Sequence, residues 1–217
     1  SEKVVRKMNA WEITMTPDNI QMTTTLVEQS GETFSQMKKL LLGCDLKEEK
    51  VQDILKQYKE DILNGEEESA SQRFAENINQ ELHRDQESYI ITREQMAARR
   101  QVHTAVNILR TLEQSDNYLV PVSVNGQVVA VSLSIKDEGK QEARIEIEIP
   151  LKDMELRADI QVGANAISGI VSGSSEQLPA WTENSIAKLK ESVQKIDPKN
   201  KRQLLQVAKT FLEMVEN

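Results

Sequence analysis

Cys44 is the single cysteine in 217 residues, which excludes an internal disulfide and a cluster of thiolate metal ligands. Such usage fits a reducing compartment, or a secreted bacterial protein that does not rely on disulfides. Histidine is almost as scarce: His83 and His103 stand 20 residues apart, and neither an HExxH nor an H-x3-H spacing exists. A zinc site would therefore lack its usual ligands. Aromatic residues make up 4% of the chain, so the core must be built from Leu, Ile and Val, with few large pockets for flat ligands. No apolar run approaches the roughly 18 to 20 residues that a membrane span needs. Ser1-Glu2-Lys3-Val4-Val5-Arg6-Lys7 has neither a starting Met nor an apolar stretch, so it does not read as a signal peptide.

Charge is plentiful but one-sided. The net charge is −8, with 15 basic and 21 acidic residues up to Asp116 and 12 and 14 beyond it. Nucleic-acid affinity comes largely from Lys and Arg on phosphates, and an acidic chain without a basic stripe argues against that class of partner. The concentrated positive feature is Arg93, Arg99, Arg100 and Arg110. Their spacing does not share a tight helical face, and Glu94 interrupts them. A solvated face is expected, with contact to an acidic partner as the alternative.

The first half carries helical periodicity. Thr16-Pro17-Asp18-Asn19 offers a cap with Pro in the first turn, followed by Ile20, Leu26 and Val27. Phe34, Met37, Leu40 and Leu41 mark a second stripe before Gly43. Val51, Ile54, Leu55, Tyr58, Ile62 and Leu63 mark a third, closed by Asn64-Gly65. Between Gly65 and Pro121 there is no Pro or Gly. The spacing there (Phe74, Ile78, Leu82, Tyr89 and Ile90, then Ala98, Val102, Ala105, Val106, Leu109, Leu112) is too irregular for a coiled coil, which favours two helices over one. The expected helices cover about 17–30, 32–42, 47–63, 67–88 and 92–115.

At Tyr118 the period changes to two. Tyr118, Val120, Val122 and Val124 lead into Asn125-Gly126, a strong hairpin signal because a type I′ turn needs positive φ at both central residues. A two-residue turn there pairs Val124 with Gln127, Val122 with Val129, Val120 with Val131 and Tyr118 with Leu133, placing apolar side chains opposite one another as a one-sided sheet requires. Further strands follow over Arg144 to Ile149, Met154 to Val162 and Ile167 to Val171. A helix through Trp181, Ile186, Leu189, Val193 and Ile196 is expected to cover the apolar face, and a last helix carries Leu204, Leu205, Ala208, Phe211, Leu212 and Val215. The fold class is α+β: an all-helical segment over 1–116, then 117–217 as a small antiparallel-rich sheet covered by one or two helices, ending in a C-terminal helix.

No motif assembles into catalysis. Cys44 follows Leu40-Leu41-Leu42-Gly43 and has no base nearby in sequence to lower its pKa, so a small buried hydrophobe is the expected role. Gly163, Gly169 and Gly173 are spaced as neither a phosphate loop nor a dinucleotide fingerprint. Glu146 and Glu148 alternate with Ile on a regular strand, the pattern of a solvated sheet face rather than of paired catalytic carboxylates. Glu66-Glu67-Glu68 suits a helix start and lacks the alternating ligands of a calcium loop. The residues thus nominate no catalytic, cofactor-binding or metal-binding group.

Residues 143–196 resemble the C-terminal domain of bacterial flagellar hook-length control proteins. The resemblance rests on Ala143-Arg144-Ile145-Glu146-Ile147-Glu148-Ile149-Pro150, Glu155-Leu156-Arg157-Ala158-Asp159-Ile160, Ala166-Ile167-Ser168-Gly169-Ile170-Val171, and a helix carrying Ile186, Leu189 and Val193. It extends more loosely to Val120-Pro121-Val122-Ser123-Val124-Asn125-Gly126, and Thr16-Pro17-Asp18-Asn19-Ile20 is similar to a helix-opening phrase of such proteins. Where the family's corner carries a Leu-Gly pair after Pro, this chain has Asp153-Met154, so no contact residues transfer. The resemblance implies a non-enzymatic assembly protein that meets the flagellar export apparatus or hook components in export substrate switching. It also implies a cytoplasmic protein that can be exported through a flagellar-type system. Two other readings stand beside it: a cytoplasmic helical scaffold with an appended protein-binding module, and an enzyme whose site draws on dispersed residues.

Overall fold

The structure, a computed structural model, describes residues 1–28, 30–84 and 90–216. Among these residues six helices precede the sheet: α1 (Glu2–Ala10), α2 (Pro17–Glu28), α3 (Thr33–Gly43), α4 (Glu48–Leu63), α5 (Ala70–His83) and α6 (Arg93–Gln114). A short 3₁₀ turn at Ser30–Glu32 links α2 to α3. Five strands follow: β1 (Asn117–Val124), β2 (Gln127–Asp137), β3 (Glu142–Pro150), β4 (Glu155–Gly163) and β5 (Ile167–Gly173). Among the described residues two helices, α7 (Ser185–Ser192) and α8 (Lys201–Glu216), follow the sheet. A helical first half, an antiparallel sheet and covering helices make this an α+β fold.

The strands form a simple meander in the order β1-β2-β3-β4-β5, every neighbour antiparallel. The Asn125-Gly126 turn has the expected geometry, with φ of 51° and 80°. Its register is the one the alternation dictates: Val124 opposite Gln127, Val122 opposite Val129, Val120 opposite Val131 and Tyr118 opposite Leu133. Carried across the sheet, that register lines one face with Val131, Leu133, Ile145, Ile147, Ile149, Leu156, Ala158 and Ile160, all buried.

Covering this apolar face is shared work. The expected helix from Trp181 to Ile196 is shorter, since Trp181 lies in a 3₁₀ turn and Val193, extended, ends α7 before Ile196. Helix α7 packs on β5 while α8 reaches β1, β2 and β3, so the helix around Leu189 does only part of the job. Contact with α7 is close enough to dictate sequence: a Cβ on Gly169 would stand 2.9 Å from the Ile186 side chain. At the junction of α8 with β1, Lys201 pairs with Asp116 at 2.6 Å, and its Nζ lies 5.5 Å from the centre of the Tyr118 ring. Burial pushes the Tyr118 phenol above its ordinary range.

The sheet is one-sided only toward β5. On the opposite face Leu119, Pro121 and Ala130 are also buried. The 3₁₀ turn contacts β2 and β3, α3 contacts β2, and the Ser35 hydroxyl donates to the Val128 carbonyl at 3.4 Å. The change at residues 116 and 117 is a change of secondary structure, while one apolar cluster runs from Val4 to Val215 across it.

Several element bounds differ from expectation for local reasons. Residues 66–116 hold two helices, as the irregular stripe favours, and α6 opens on a capping box between Thr92 and Gln95. Helix α5 starts at Ala70, not near residue 67, because Ser69 is its N-cap. Its expected continuation to residue 88, with Tyr89 beyond, falls partly outside the described residues. Glu113 of α6 holds the start of α5: its carboxylate accepts from Ala70 N–H at 2.8 Å, from the Ser69 hydroxyl at 2.5 Å and from the Ser71 hydroxyl. A carboxylate there satisfies donors that the helix cannot. Helix α1 was not expected at all, although Val4 and Met8, four apart, are both buried and the Ser1 side chain caps it.

The hairpin turn provides a clean test of the register. Gly126 has open space where a Cβ would go, so Gly126→Ala imposes only the cost of a positive φ. We expect a loss of about 1 kcal/mol in urea unfolding, with the m-value unchanged.

Candidate functional site: the open half of the sheet

The face left uncovered over β3, β4 and β5 is built by alternation. Ile145, Ile147 and Ile149 point into the core, which sends Arg144, Glu146 and Glu148 to the other side. Register then sets Glu146 opposite Asp159 and Glu148 opposite Arg157, with Lys136 of β2 opposite Arg144. The side chains answer by pairing diagonally. Lys136 meets Glu146 at 3.0 Å, Arg157 meets Glu146 at 3.6 Å, and Arg144 meets Asp159 at 3.4 Å and Glu138 at 3.6 Å.

Glu146 is the hub, with its side chain only 16% exposed and cations arriving from β2, β3 and β4. Each exposed pair is worth little alone, but a network shares the entropic cost of ordering long side chains. Beyond Asp159 the face ends on Ile170, which is 73% exposed.

The inner border of this surface is a crevice of about 170 Å³ under α1. Lys7 and Trp11 stand on one side, and Ser132, Ser134, Glu146 and Glu148 on the other. The Lys7 ammonium lies 5.3 Å from the Trp11 ring centre, within cation–π range. A half-buried indole beside a rigid charged ladder is the kind of anchor that dominates protein–protein contacts. Nothing in the sequence reading pointed to Trp11, because α1 itself was missed.

The residues weighed for other chemistry lie apart. His83 and His103 are both exposed, on α5 and α6. Cys44 is 8% exposed, its Sγ 3.8 Å from the Gln95 carbonyl oxygen. Burial pushes its thiol up, against the opposing influence of Arg99. Arg99 donates to the Leu82 carbonyl at 3.4 Å, Arg93 is exposed, and Arg100 lines a cleft of about 370 Å³ between α2, α3 and α6. That cleft has Asp18, Met22, Met37 and Thr104 on its walls. Glu66, Glu67 and Glu68 precede α5, and Glu68 approaches Arg73 at 3.8 Å. Among the described residues, no three His, Cys, Asp or Glu side chains are grouped to hold a metal ion.

Asp61 is a further residue the sequence reading passed over. It sits 4% exposed on the inner face of α4, accepts from Gln57 Nε2 at 2.9 Å and pairs with Arg73 at 3.3 Å. Its position three residues after the buried Tyr58 marks it as an acid on an apolar stripe, a visible signal. It ties α4 to α5 and plays no part in the open face.

Comparison with protein-family models, with curated proteins and with solved structures finds no match to this chain. Among the described residues, no helix is long and apolar enough to cross a membrane.

Two measurements probe these assignments. Reversing the hub with Glu146→Lys gathers four cations and is expected to cost roughly 1 to 2 kcal/mol in chemical unfolding, whereas Glu148→Lys at the open rim should cost under about 1 kcal/mol. The Cys44 thiol should react with a disulfide reagent at neutral pH at least about tenfold more slowly in the folded chain than after denaturation, as expected for a buried thiol with a raised pKa.

Proposed function

We propose that this chain is a non-enzymatic interaction or assembly protein, and that the open β3–β5 face with the Trp11 crevice is where its protein partner docks. The observation that carries this reading is the asymmetry of the sheet. One face is buried over most of β1 to β4 and only partly at β5, and half of the other is covered by the N-terminal helical elements, which leaves an ordered, charged surface on the strands least encumbered by helices. Regular strands hold such a surface rigid, so docking requires little reordering. Alternating Lys136, Arg144, Arg157, Glu146, Glu148 and Asp159 supply charge complementarity rather than bulk affinity, governing register and on-rate.

Within that class we place the chain with the flagellar hook-length control type. The support is the stretch from Ala143 to Val171, whose alternating residues form the three strands of the open face. On this reading the partner belongs to the flagellar export apparatus or the hook, and the protein acts in the cytoplasm in switching export substrates, with export through the same system as a further step. A helical scaffold carrying an α+β protein-binding module is the second reading, favoured by the way the 3₁₀ turn and α3 pack onto β2.

Titrating the purified full chain against the cytoplasmic part of a flagellar export gate component from the same genome separates the two. We expect saturable binding that weakens at least about fivefold in Arg144→Glu/Arg157→Glu and in Trp11→Ala, steeply dependent on salt for the charge variant. Absence of binding at about 100 µM of either component removes the flagellar assignment. Binding indifferent to all three substitutions removes the open face as the docking surface.

A further inference from the structure

The two edges of the sheet are treated differently. β1 is packed against α4, α6 and α8, while β5 has α7 on its apolar face and its outer edge free. The direction of its backbone follows from the register. Gly163 N–H donates to Ala166 O at 2.8 Å and Ser174 N–H to Glu155 O at 3.0 Å, which fixes Gly163 with Ala166 and Glu155 with Ser174 as bonded pairs. Bonded and non-bonded pairs alternate in an antiparallel ladder. Gln161 with Ser168, Asp159 with Ile170 and Arg157 with Ser172 are therefore bonded pairs. Ile167, Gly169, Val171 and Gly173 direct their N–H and C=O groups away from β4.

Among the described residues nothing outside the strand bonds to those four residues' outward groups. The strand also lacks the usual devices that protect an edge: it contains no Lys, no Pro and no other charged residue. Ile170 at its centre is 73% exposed, second only to Ile90 among the large hydrophobic side chains of the described residues.

We propose that β5 pairs with β5 of a second copy of this chain, extending the two five-stranded sheets into one of ten strands. The outward-facing residues are centred on Ile170, so the edge is complementary to itself. An antiparallel partner set two-fold about that residue bonds Ile167 to the partner's Gly173 and Gly169 to the partner's Val171, and the reverse. Ile170 then falls on the axis as a non-bonded pair with the partner's Ile170, where side chains approach most closely. Charge supports the same orientation. A trough of about 430 Å³ at the start of β5, beside Ala164 and Asn165, is lined by Lys190 and Lys195. In this register the partner's Ser174-Ser175-Glu176 emerges at that trough, bringing the Glu176 carboxylate to the two ammonium groups. The pairing leaves the charged face open and joins the two copies' faces across Ile170, and it does not depend on the flagellar reading.

Sedimentation velocity on the full chain tests the proposal. One strand pair is a small interface, so a dimer with a dissociation constant in the micromolar range is expected over about 1 to 200 µM. Ile170→Lys sets like charges on the axis, and Val171→Pro removes an outward N–H without breaking a bond to β4. Each should raise the dissociation constant about tenfold or more while leaving circular dichroism unchanged, and the melting temperature unchanged at concentrations where both chains are monomeric. In a Cys44→Ser background, Ile170→Cys should form an interchain disulfide on mild oxidation, because a non-bonded pair has a Cα separation of about 4.5 Å. Ser168→Cys should not, since its twin lies four residues away along the strand. A wild-type chain that stays monomeric over the whole range overturns the proposal. So does a dimer that survives both edge substitutions, or equal crosslinking at 168 and 170.

Discussion

Everything in this molecule hangs on the side-chain period of two in the meander and the turn that locks it. Asn125 and Gly126 accept positive φ, the two-residue loop closes, and every later pairing inherits its register. A slip of one residue would turn Val120, Val131, Ile147 and Ala158 toward water and draw Arg144, Glu146 and Arg157 into the core. Burial of that row of valines and isoleucines therefore specifies the charged ladder as much as the core, since both faces are read from the same alternation.

The helices then decide how much of the polar face remains. The 3₁₀ turn and α3 lie over the β1–β2 end, where Leu119, Pro121 and Ala130 offer an apolar seat. They stop where Arg144 and Arg157 begin, because covering those guanidinium groups would strip them of water without enough partners. The position of the open surface is thus a consequence of where apolar residues run out on the second face. The Trp11 crevice marks that limit.

Much of this was legible in the sequence. The hairpin register, the strands that follow it and most helices come directly from period-two and helical stripes bounded by turn residues. The open face was legible as alternation of Glu and Arg with Ile over residues 144–149, though not its extent, since nothing local says that α3 folds onto β2 from 93 residues away. Helix α1 escaped because its apolar signal is two residues, Val4 and Met8, in a basic and acidic context. The α5 start escaped because its cap includes Glu113, 43 residues distant from Ala70. Such contacts are fixed by tertiary placement, which propensity and spacing do not encode. No functional residue was nominated in advance, and the Trp11 crevice was not legible because it forms only where α1 meets β2 and β3.

The meander also sets how the chain's entropy is spent in closing. Turns of two to four residues separate successive strands, so each pairing ties off a very short loop. Contact between Ser35 and Val128 instead spans 93 residues, and the pair between Lys59 and Glu216 spans 157. Closure entropy grows only with the logarithm of loop length, at roughly 0.6 kcal/mol per doubling. Once the sheet is joined by its turns, those long loops are effectively shortened for the contacts that close across them. The connectivity that makes this fold easy to read from its sequence also keeps its long-range contacts inexpensive to form.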